Sequence, residues 1–374
     1  MTMLNARQVT DLIKSVGSEV TVLVEGEAGV GKTSIHYALA ADPAFAHYYT
    51  PKPIDCTQLS DGSVWMPDID RSRGVSRELP NERFGVHDEN HKGVEDGRPA
   101  LICLDEIAKA RQFIKDVLAP IIYERRVGQY EFVPGSIVFG CTNLSDEGLG
   151  DSLQGHLRNR LVIVQMRKPT KDEWIQDFAV PRGLRAEVIA AAEMYPMVFD
   201  SFMDFRQGGA MAGKPMSKHN PYINDPSNAA QGQVVTPRSL HTASKIIDRM
   251  GGMDNITLQA ALEGTVGAAF AANIMSNIRF GMNLPSFTLV CEEPETAPLP
   301  DNPTAQVVQC FQFVTQVKTR QQAEGCSIYV SRMREEMKSL FVNSIANSNA
   351  VLANFALSPT FGKLLADNRK YLGA

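Results

Sequence analysis

Hydrophobic patterning divides the chain into an alternating first half and a helical second half. Short apolar runs alternate with helical patterns up to about residue 165, and the clearest runs are TVLVE at 21–25, ALICL at 100–104, SIVFGC at 136–141 and LVIVQ at 161–165. Because these runs are continuous rather than alternating, they indicate strands that are buried on both faces. The pattern predicts an α/β fold, in which helices cover a parallel sheet.

Two irregular segments interrupt the pattern. Residues 59–97 are rich in Gly, Pro, Asp, Asn and His, and residues 207–235 are rich in Gly, Asn, Pro and Met. A structureless segment of such length is uncommon inside a compact domain unless it has a function. The first segment is therefore either a functional element, in which Trp65, Met66, Phe84 and His87 face a central pore or a partner, or a surface insertion with a few packing anchors. The second is expected to be a connector.

Helical patterns occupy most of the remaining chain. Within residues 108–126 the apolar positions recur at helical spacing, and Pro120 predicts a kink or an early stop there. From residue 238 to the end helices dominate, and the proline-rich segment 293–303 is expected to separate two helical parts.

The strongest chemical signal is the sequence GEAGVGKT at residues 26–33, which follows a predicted strand and precedes a predicted helix. It matches the phosphate-binding pattern G-x-x-x-x-G-K-[ST], in which glycines let backbone N–H groups point at phosphate oxygens. Lys32 is expected to neutralise the β- and γ-phosphates, and Thr33 to hold Mg²⁺. We therefore predict ATP and Mg²⁺ as cofactors. The predicted binding residues are Gly26, Glu27, Ala28, Gly29, Val30, Gly31, Lys32, Thr33 and Ser34.

Polar residues follow two further predicted strands. Asp105 and Glu106 come directly after ALICL, and Asn143 comes directly after SIVFGC and Thr142. We expect Asp105 to act with Thr33 at the Mg²⁺ ion, Glu106 to polarise the attacking water, and Asn143 to orient that water or touch the γ-phosphate. Taken alone, each acid could be a solvated strand end, and the asparagine could begin a turn.

Two arginine-containing segments complete the set. HLRNRL at 156–161 leads into the last strand, and TPRS at 236–239 has the features of a helix start. Arginines in such places more often form surface ion pairs than catalytic contacts.

The order of these motifs resembles that of AAA+ ATPases, most closely the MoxR branch of the helix-2-insert clade. The resemblance rests on GEAGVGKTS, ALICLDEIAKA, IIYERRVGQYEFVPGSIVFGCTN, LRNRLVIVQMRKPT and TPRSL, and it covers about residues 5–280. It implies a three-layer αβα P-loop core over residues 1–180, an all-α lid over 181–280 and a C-terminal helical extension over 281–374. Segment 59–98 sits where the clade inserts a loop-helix element, and 127–136 where it carries a hairpin.

The same resemblance implies roles for individual residues. It assigns Asn143 as sensor 1, Arg238 as sensor 2, and Arg160 as the arginine finger that reaches the ATP of a neighbouring subunit, with Arg158 as the alternative. It further implies a homo-oligomeric, hexameric ring with chaperone-like activity on a protein partner, often a von Willebrand factor A (vWA) domain protein. Nucleic acid is not expected as a partner, although a nucleic-acid motor and an ATP-gated scaffold with little hydrolysis stay open as alternatives.

Composition adds weak constraints. With 37 Lys and Arg against 42 Asp and Glu, the formal net charge is −5, so no overall basic excess indicates nucleic acid. The six cysteines show no C-x-x-C pattern, which argues against a metal cluster and favours reduced thiols. The most apolar helical stretch, 258–278, is interrupted by polar residues, so no membrane span is expected, and we predict a cytoplasmic protein.

Overall fold

The computed structural model describes residues 2–60, 62–86, 97–144, 158–205, 209, 212, 214, 220–225, 228, 231–251 and 254–368. The chain forms two compact units, Met1–Lys168 and Pro169–Ala374. This boundary precedes the predicted limit at residue 180, and the second unit contains both the predicted lid and the predicted extension. The three-part division stays a prediction.

The first unit contains a six-stranded parallel sheet. In chain order its described strands and helices are β1 Met3–Leu4, α1 Ala6–Val16, β2 Thr21–Gly26, α2 Ser34–Ala40, β3 Ile54–Asp55, β4 Trp65–Asp70, β5 Val75–Pro80, β6 Leu101–Asp105, α3 Gln112–Tyr123, β7 Arg126–Val127, β8 Tyr130–Glu131, β9 Ile137–Asn143 and β10 Leu161–Met166. The strand order in the sheet is β1-β10-β2-β9-β6-β3. The strand with the glycine-rich motif therefore lies between β9 and β10, and β9 separates it from the strand that carries Asp105.

Helices cover both faces of this sheet, which confirms the predicted three-layer α/β class. Successive residues of β2 point to opposite faces. Val22 and Val24 pack with residues of α1 and α2 such as Ile13, whereas Leu23 packs with residues of α3 such as Leu118. The sheet is thus buried on both sides, as the continuous apolar runs indicated.

The described part of the insert segment forms a hairpin. Within residues 62–86, β4 and β5 pair antiparallel and are followed by a short 3₁₀ turn, Glu82–Phe84. Met66 and its cross-strand partner Leu79 are exposed, whereas Phe84, a candidate for facing a pore or partner, is buried in the core. His87 lies outside the described residues, and the loop-helix element of segment 59–98 stays a prediction.

Pro120 was expected to kink α3 or to stop it early. The early stop was wrong, since the helix continues to Tyr123 and the Pro120 carbonyl accepts the Glu124 N–H at 2.9 Å.

The second unit is helical over its described residues. Its helices are α4 Lys171–Trp174, which continues as a π-helical turn over Ile175–Ala179, α5 Ala186–Met194, α6 Pro237–Met250, α7 Ile256–Val266, α8 Ala268–Met282, α9 Phe287–Glu292, α10 Pro303–Gln316, α11 Arg320–Ser331, α12 Glu335–Ala346, α13 Asn349–Phe355 and α14 Pro359–Asp367. One hydrophobic core runs from Trp174 to Leu365. The proline-rich segment does not interrupt this core, since the Tyr329 hydroxyl of α11 donates to the Pro298 carbonyl at 2.6 Å. Among the described residues, no helix combines the length and apolar character needed to cross a bilayer.

Candidate nucleotide site

The glycine-rich motif forms a tight loop between β2 and α2. Gly29 and Gly31 adopt φ values of 75° and 102°, a region that side-chain-bearing residues rarely occupy. Gly26 is required for another reason, because a Cβ atom there would lie 2.9 Å from the carbonyl oxygen of Met166. Thr33 directly precedes α2, so the N-terminus of the helix follows the loop directly. This is the geometry of a backbone anion cradle.

Lys32 lies buried at the centre of the loop, with 6% of its surface exposed. Its Nζ atom donates to the carbonyl oxygens of Gly26 and Glu27 and to Oδ1 of Asn143, each at 2.8 Å. A buried ammonium group needs such partners, since desolvation is otherwise costly. The Lys32 ammonium group, which the sequence predicted to bind phosphate, is therefore held inside the loop by these three oxygen atoms.

Thr33 and Asp105 meet across the end of the sheet. The Thr33 hydroxyl donates to Oδ2 of Asp105 at 2.9 Å, and the backbone N–H of Glu106 donates to Oδ1 of Asp105 at 3.1 Å. Burial raises the pKa of the Asp105 carboxyl, while the Thr33 hydroxyl opposes this change by stabilising the ionised form. Thr33 and Asp105 therefore offer a hydroxyl and a carboxylate oxygen as metal ligands, and Mg²⁺ prefers oxygen ligands.

Glu106 follows in an unusual backbone conformation, with φ of 54°. This left-handed geometry costs energy in a residue with a side chain. Oε1 of Glu106 accepts from the Asn143 amide nitrogen at 3.2 Å, and Oε2 lies 3.0 Å from Nζ of Lys109. Sequence reasoning missed Lys109, although a cation three residues after an acid is a recognisable signal for a local ion pair.

Strand register explains why these distant residues converge. Gly26 of β2 pairs with Asn143 of β9, and Asp105 of β6 pairs with Cys141 of β9. Neighbouring parallel strands therefore end at the same edge of the sheet, where α/β folds bind ligands. The structure thus brings together Lys32, Thr33, Asp105, Glu106 and Asn143 as the sequence predicted.

A buried ion pair fixes the loop to the last strand, and sequence reasoning did not find it. Oε2 of Glu27 lies 3.7 Å from Nζ of Lys168, and both side chains are almost fully buried. Glu27 belongs to the predicted binding loop, whereas Lys168 follows β10. Nothing in the sequence links two residues so far apart along the chain.

Arg158 and Arg160 do not join this cluster. Leu161, the residue after Arg160, pairs with Thr21 at the start of β2, whereas Met166 pairs with Gly26 at its end. With a rise of about 3.3 Å per residue, the six residues from Arg160 to Met166 place the Arg160 backbone about 20 Å from that edge. Both arginines are exposed, and the guanidinium carbon of Arg160 lies 4.0 Å from the ring centroid of Tyr123 at the end of α3.

Arg238 lies in the second unit, as the second residue of α6. Thr236 caps that helix and accepts the Ser239 N–H at 3.0 Å, and Pro237 occupies the first turn, as the sequence indicated. The Arg238 side chain is exposed. Its role as sensor 2 stays a prediction.

Comparisons with known proteins give only distant likenesses. No family model matches the chain, and no curated protein matches it. Among solved structures, NtrX from Brucella abortus in complex with ADP is 14% identical with a TM-score of 0.38, and the alignment covers 98% of this chain and 68% of NtrX. The S. cerevisiae Hsp104-ADP complex is 14% identical with a TM-score of 0.31, covering 100% of this chain and 48% of Hsp104. A full-length MCM homologue from Methanopyrus kandleri is 11% identical with a TM-score of 0.29, covering 73% of this chain and 54% of that one. The P-loop α/β fold of this chain therefore rests on its own sheet order and loop geometry.

Proposed function

We propose that this chain is a Mg²⁺-dependent AAA+ ATPase of the MoxR branch, which works as a hexameric ring and remodels or activates a protein partner. The observation that carries the ATPase proposal is the convergence of Lys32, Thr33, Asp105, Glu106 and Asn143 at one edge of the parallel sheet. This set supplies a phosphate cradle, oxygen ligands, a base and a polar amide.

The donor set fits ATP and Mg²⁺. Thr33 and Asp105 would hold the metal ion, whose charge would neutralise the phosphate oxygens. Lys32 now donates to two carbonyl oxygens of its own loop, so its Nζ atom is already at the anion cradle. Phosphate would take over these hydrogen bonds from the loop carbonyls.

Hydrolysis would then depend on Glu106 and Asn143. Glu106 would orient a water molecule and accept its proton, which is the role of a general base. The Asn143 amide, which contacts both Lys32 and Glu106, would hold these two charged groups in register. Such preorganised polar groups are typically the largest source of rate enhancement.

The position of Arg160 supports the proposed ring. Phosphoryl transfer gains about 10³–10⁵ in rate from an arginine at the γ-phosphate. Arg160 lies at the opposite end of the strands from its own loop, which supports a role at the nucleotide of a second copy. Each site would then be complete only at a subunit interface, and hydrolysis would be coupled to the arrangement of neighbouring subunits.

The expected partner is a protein, by resemblance a vWA-domain protein. The formal net charge of −5 gives no electrostatic attraction to nucleic acid. The exposed apolar pair Met66 and Leu79, on the hairpin of the first unit, supports contact with a protein surface.

Phosphate release from ATP tests the enzymatic proposal. We expect Mg²⁺-dependent turnover by the wild type, loss of nucleotide binding in Lys32→Ala, and retained binding without turnover in Glu106→Gln. Glu131→Gln, an exposed acid in β8, is the matched control and should behave as the wild type. An oligomer that binds ATP but releases no phosphate, with no further effect of Glu106→Gln, would instead indicate an ATP-gated scaffold.

Capture experiments test the partner. Glu106→Gln with ATP should retain the partner, and Lys32→Ala should not, so mass spectrometry of the difference would identify it. Recovery of a vWA-domain protein would support the proposal. ATPase activity that rises on addition of DNA, with only nucleic acid recovered, would favour a nucleic-acid motor.

A further inference from the structure

The six cysteines differ sharply in their environment. Cys56, Cys103, Cys141, Cys310 and Cys326 are buried, and Cys291 is the one cysteine that is partly exposed. It is the second-last residue of α9 in the helical unit. Because a thiol reacts with an external reagent only where the reagent can reach it, Cys291 is the accessible thiol of this chain.

The backbones of α9 and α11 approach unusually closely beside this residue. A Cβ atom at Gly325 of α11 would lie 2.8 Å from the carbonyl oxygen of Cys291 and 2.9 Å from its Cα atom. Only glycine allows two helices to approach to this distance. The next residue of α11 is Cys326, so the close approach places the two cysteines side by side.

The two thiols influence each other's ionisation. The neighbouring Cys326 thiol lowers the pKa of Cys291, although partial burial opposes the shift. Burial, and then the neighbouring Cys291 thiol, raises the pKa of Cys326 well above its ordinary value. The partly exposed Cys291 is therefore more readily ionised than the buried Cys326, which keeps its proton.

We propose that Cys291 and Cys326 form a redox site, at which a small-molecule disulfide of the glutathione type modifies Cys291 and Cys326 then closes an intramolecular disulfide. This site is independent of the nucleotide site. It requires no C-x-x-C motif, because the fold rather than the sequence places the two thiols together.

The chemistry proceeds in two balanced exchanges. In the first, the Cys291 thiolate attacks one sulfur of the external disulfide, a mixed disulfide forms on Cys291, and one small thiolate leaves. In the second, the Cys326 sulfur attacks the Cys291 sulfur of the mixed disulfide, loses its proton, and releases the second small thiol. The chain loses two protons and two electrons, and the external disulfide is reduced to two thiols.

A second pair of neighbouring cysteines in the chain provides an internal comparison. Cys103 and Cys141 lie on neighbouring strands of the sheet and pack in the same buried cluster. Both are buried, and burial raises the pKa of Cys103. Because an external disulfide cannot reach either thiol, we expect Cys103 and Cys141 to stay unmodified although they are neighbours.

Peptide mass spectrometry of the native full chain, treated with oxidised glutathione and then alkylated, tests the proposal. In the wild type we expect a disulfide that links the peptides of Cys291 and Cys326. Cys326→Ala should instead accumulate a stable glutathione adduct on Cys291, because the resolving thiol is missing. Alanine is preferred to serine here, since a buried hydroxyl would need a partner.

Two controls keep the outcome unambiguous. Cys291→Ser should show neither adduct nor disulfide, and Cys310→Ala should behave as the wild type. Circular dichroism before treatment confirms that each variant is folded. A wild type that shows no modification, a persistent adduct on Cys291, or modification of Cys103 and Cys141 in its place would overturn the proposal.

Discussion

The Nζ atom of Lys32 and the Oδ1 atom of Asn143 lie 2.8 Å apart, so the phosphate-binding loop is joined directly to the end of the neighbouring strand. The amide nitrogen of the same asparagine donates to Oε1 of Glu106 at 3.2 Å. One side chain thus contacts both the cation and the base of the proposed site. Any movement of Lys32 toward a phosphate would change the hydrogen bonding of Glu106 through a single amide.

Asn143→Ala should lower kcat by about 10²-fold while ATP binding is retained, since loss of one preorganised polar group typically has this effect. Asn143→Asp is the informative companion, because it keeps an oxygen for Lys32 but cannot donate to Glu106. Steady-state phosphate release and nucleotide titration measure both quantities. If Asn143→Asp turns over as the wild type does, the contact with Glu106 has no role in catalysis.

Arg160→Ala should lower turnover by at least about 10³-fold without loss of ATP binding, because an arginine finger contributes on that scale. Arg158→Ala, two residues away and also exposed, decides between the two candidate fingers, and it should retain activity if Arg160 is the finger. Mixed rings of Arg160→Ala and Lys32→Ala subunits should recover part of the turnover, since some interfaces then combine an intact finger with an intact loop. The absence of any recovery would contradict a finger that acts between subunits.

Tyr123→Leu should lower turnover by about 2- to 5-fold, because the cation–π contact with Arg160 is worth about 0.5–1 kcal/mol at an exposed position. Tyr123→Phe keeps the aromatic face and should remain close to the wild type. The comparison therefore separates ring stacking from the hydroxyl group. Equal activity of all three proteins, with Arg160→Ala inactive, would show that the finger needs no support from Tyr123.

Asp105→Asn should raise the thermal midpoint of the nucleotide-free protein near pH 7.5 and abolish turnover. Burial raises the pKa of Asp105 in the folded state, so ionisation of this carboxyl costs stability above the ordinary aspartate range. The advantage of the variant should shrink as pH falls through that range, because the wild-type carboxyl is then protonated in both folded and unfolded states. Thermal scans against pH measure this, with the exposed Asp68→Asn as control. A variant less stable than the wild type at pH 7.5 would contradict the assignment.

The sequence determined the α/β class, the loop at residues 26–33, and the polar strand ends that carry Asp105, Glu106 and Asn143. These features follow from local rules, because apolar periodicity defines buried strands and parallel strands end at a common edge. It also indicated the capped start of α6 at Thr236 and Pro237. The early helix end that Pro120 predicted was wrong, since α3 continues to Tyr123.

Only the tertiary structure decided the contacts between residues that are distant in sequence. The register of β10 against β2 placed Arg160 away from its own loop and against Tyr123. The fold also paired Glu27 with Lys168, and it brought Gly325, the residue before Cys326, against the backbone of Cys291. No periodicity or motif encodes such pairs, because their free energy depends on burial and on distances that exist only after the helices and strands have packed.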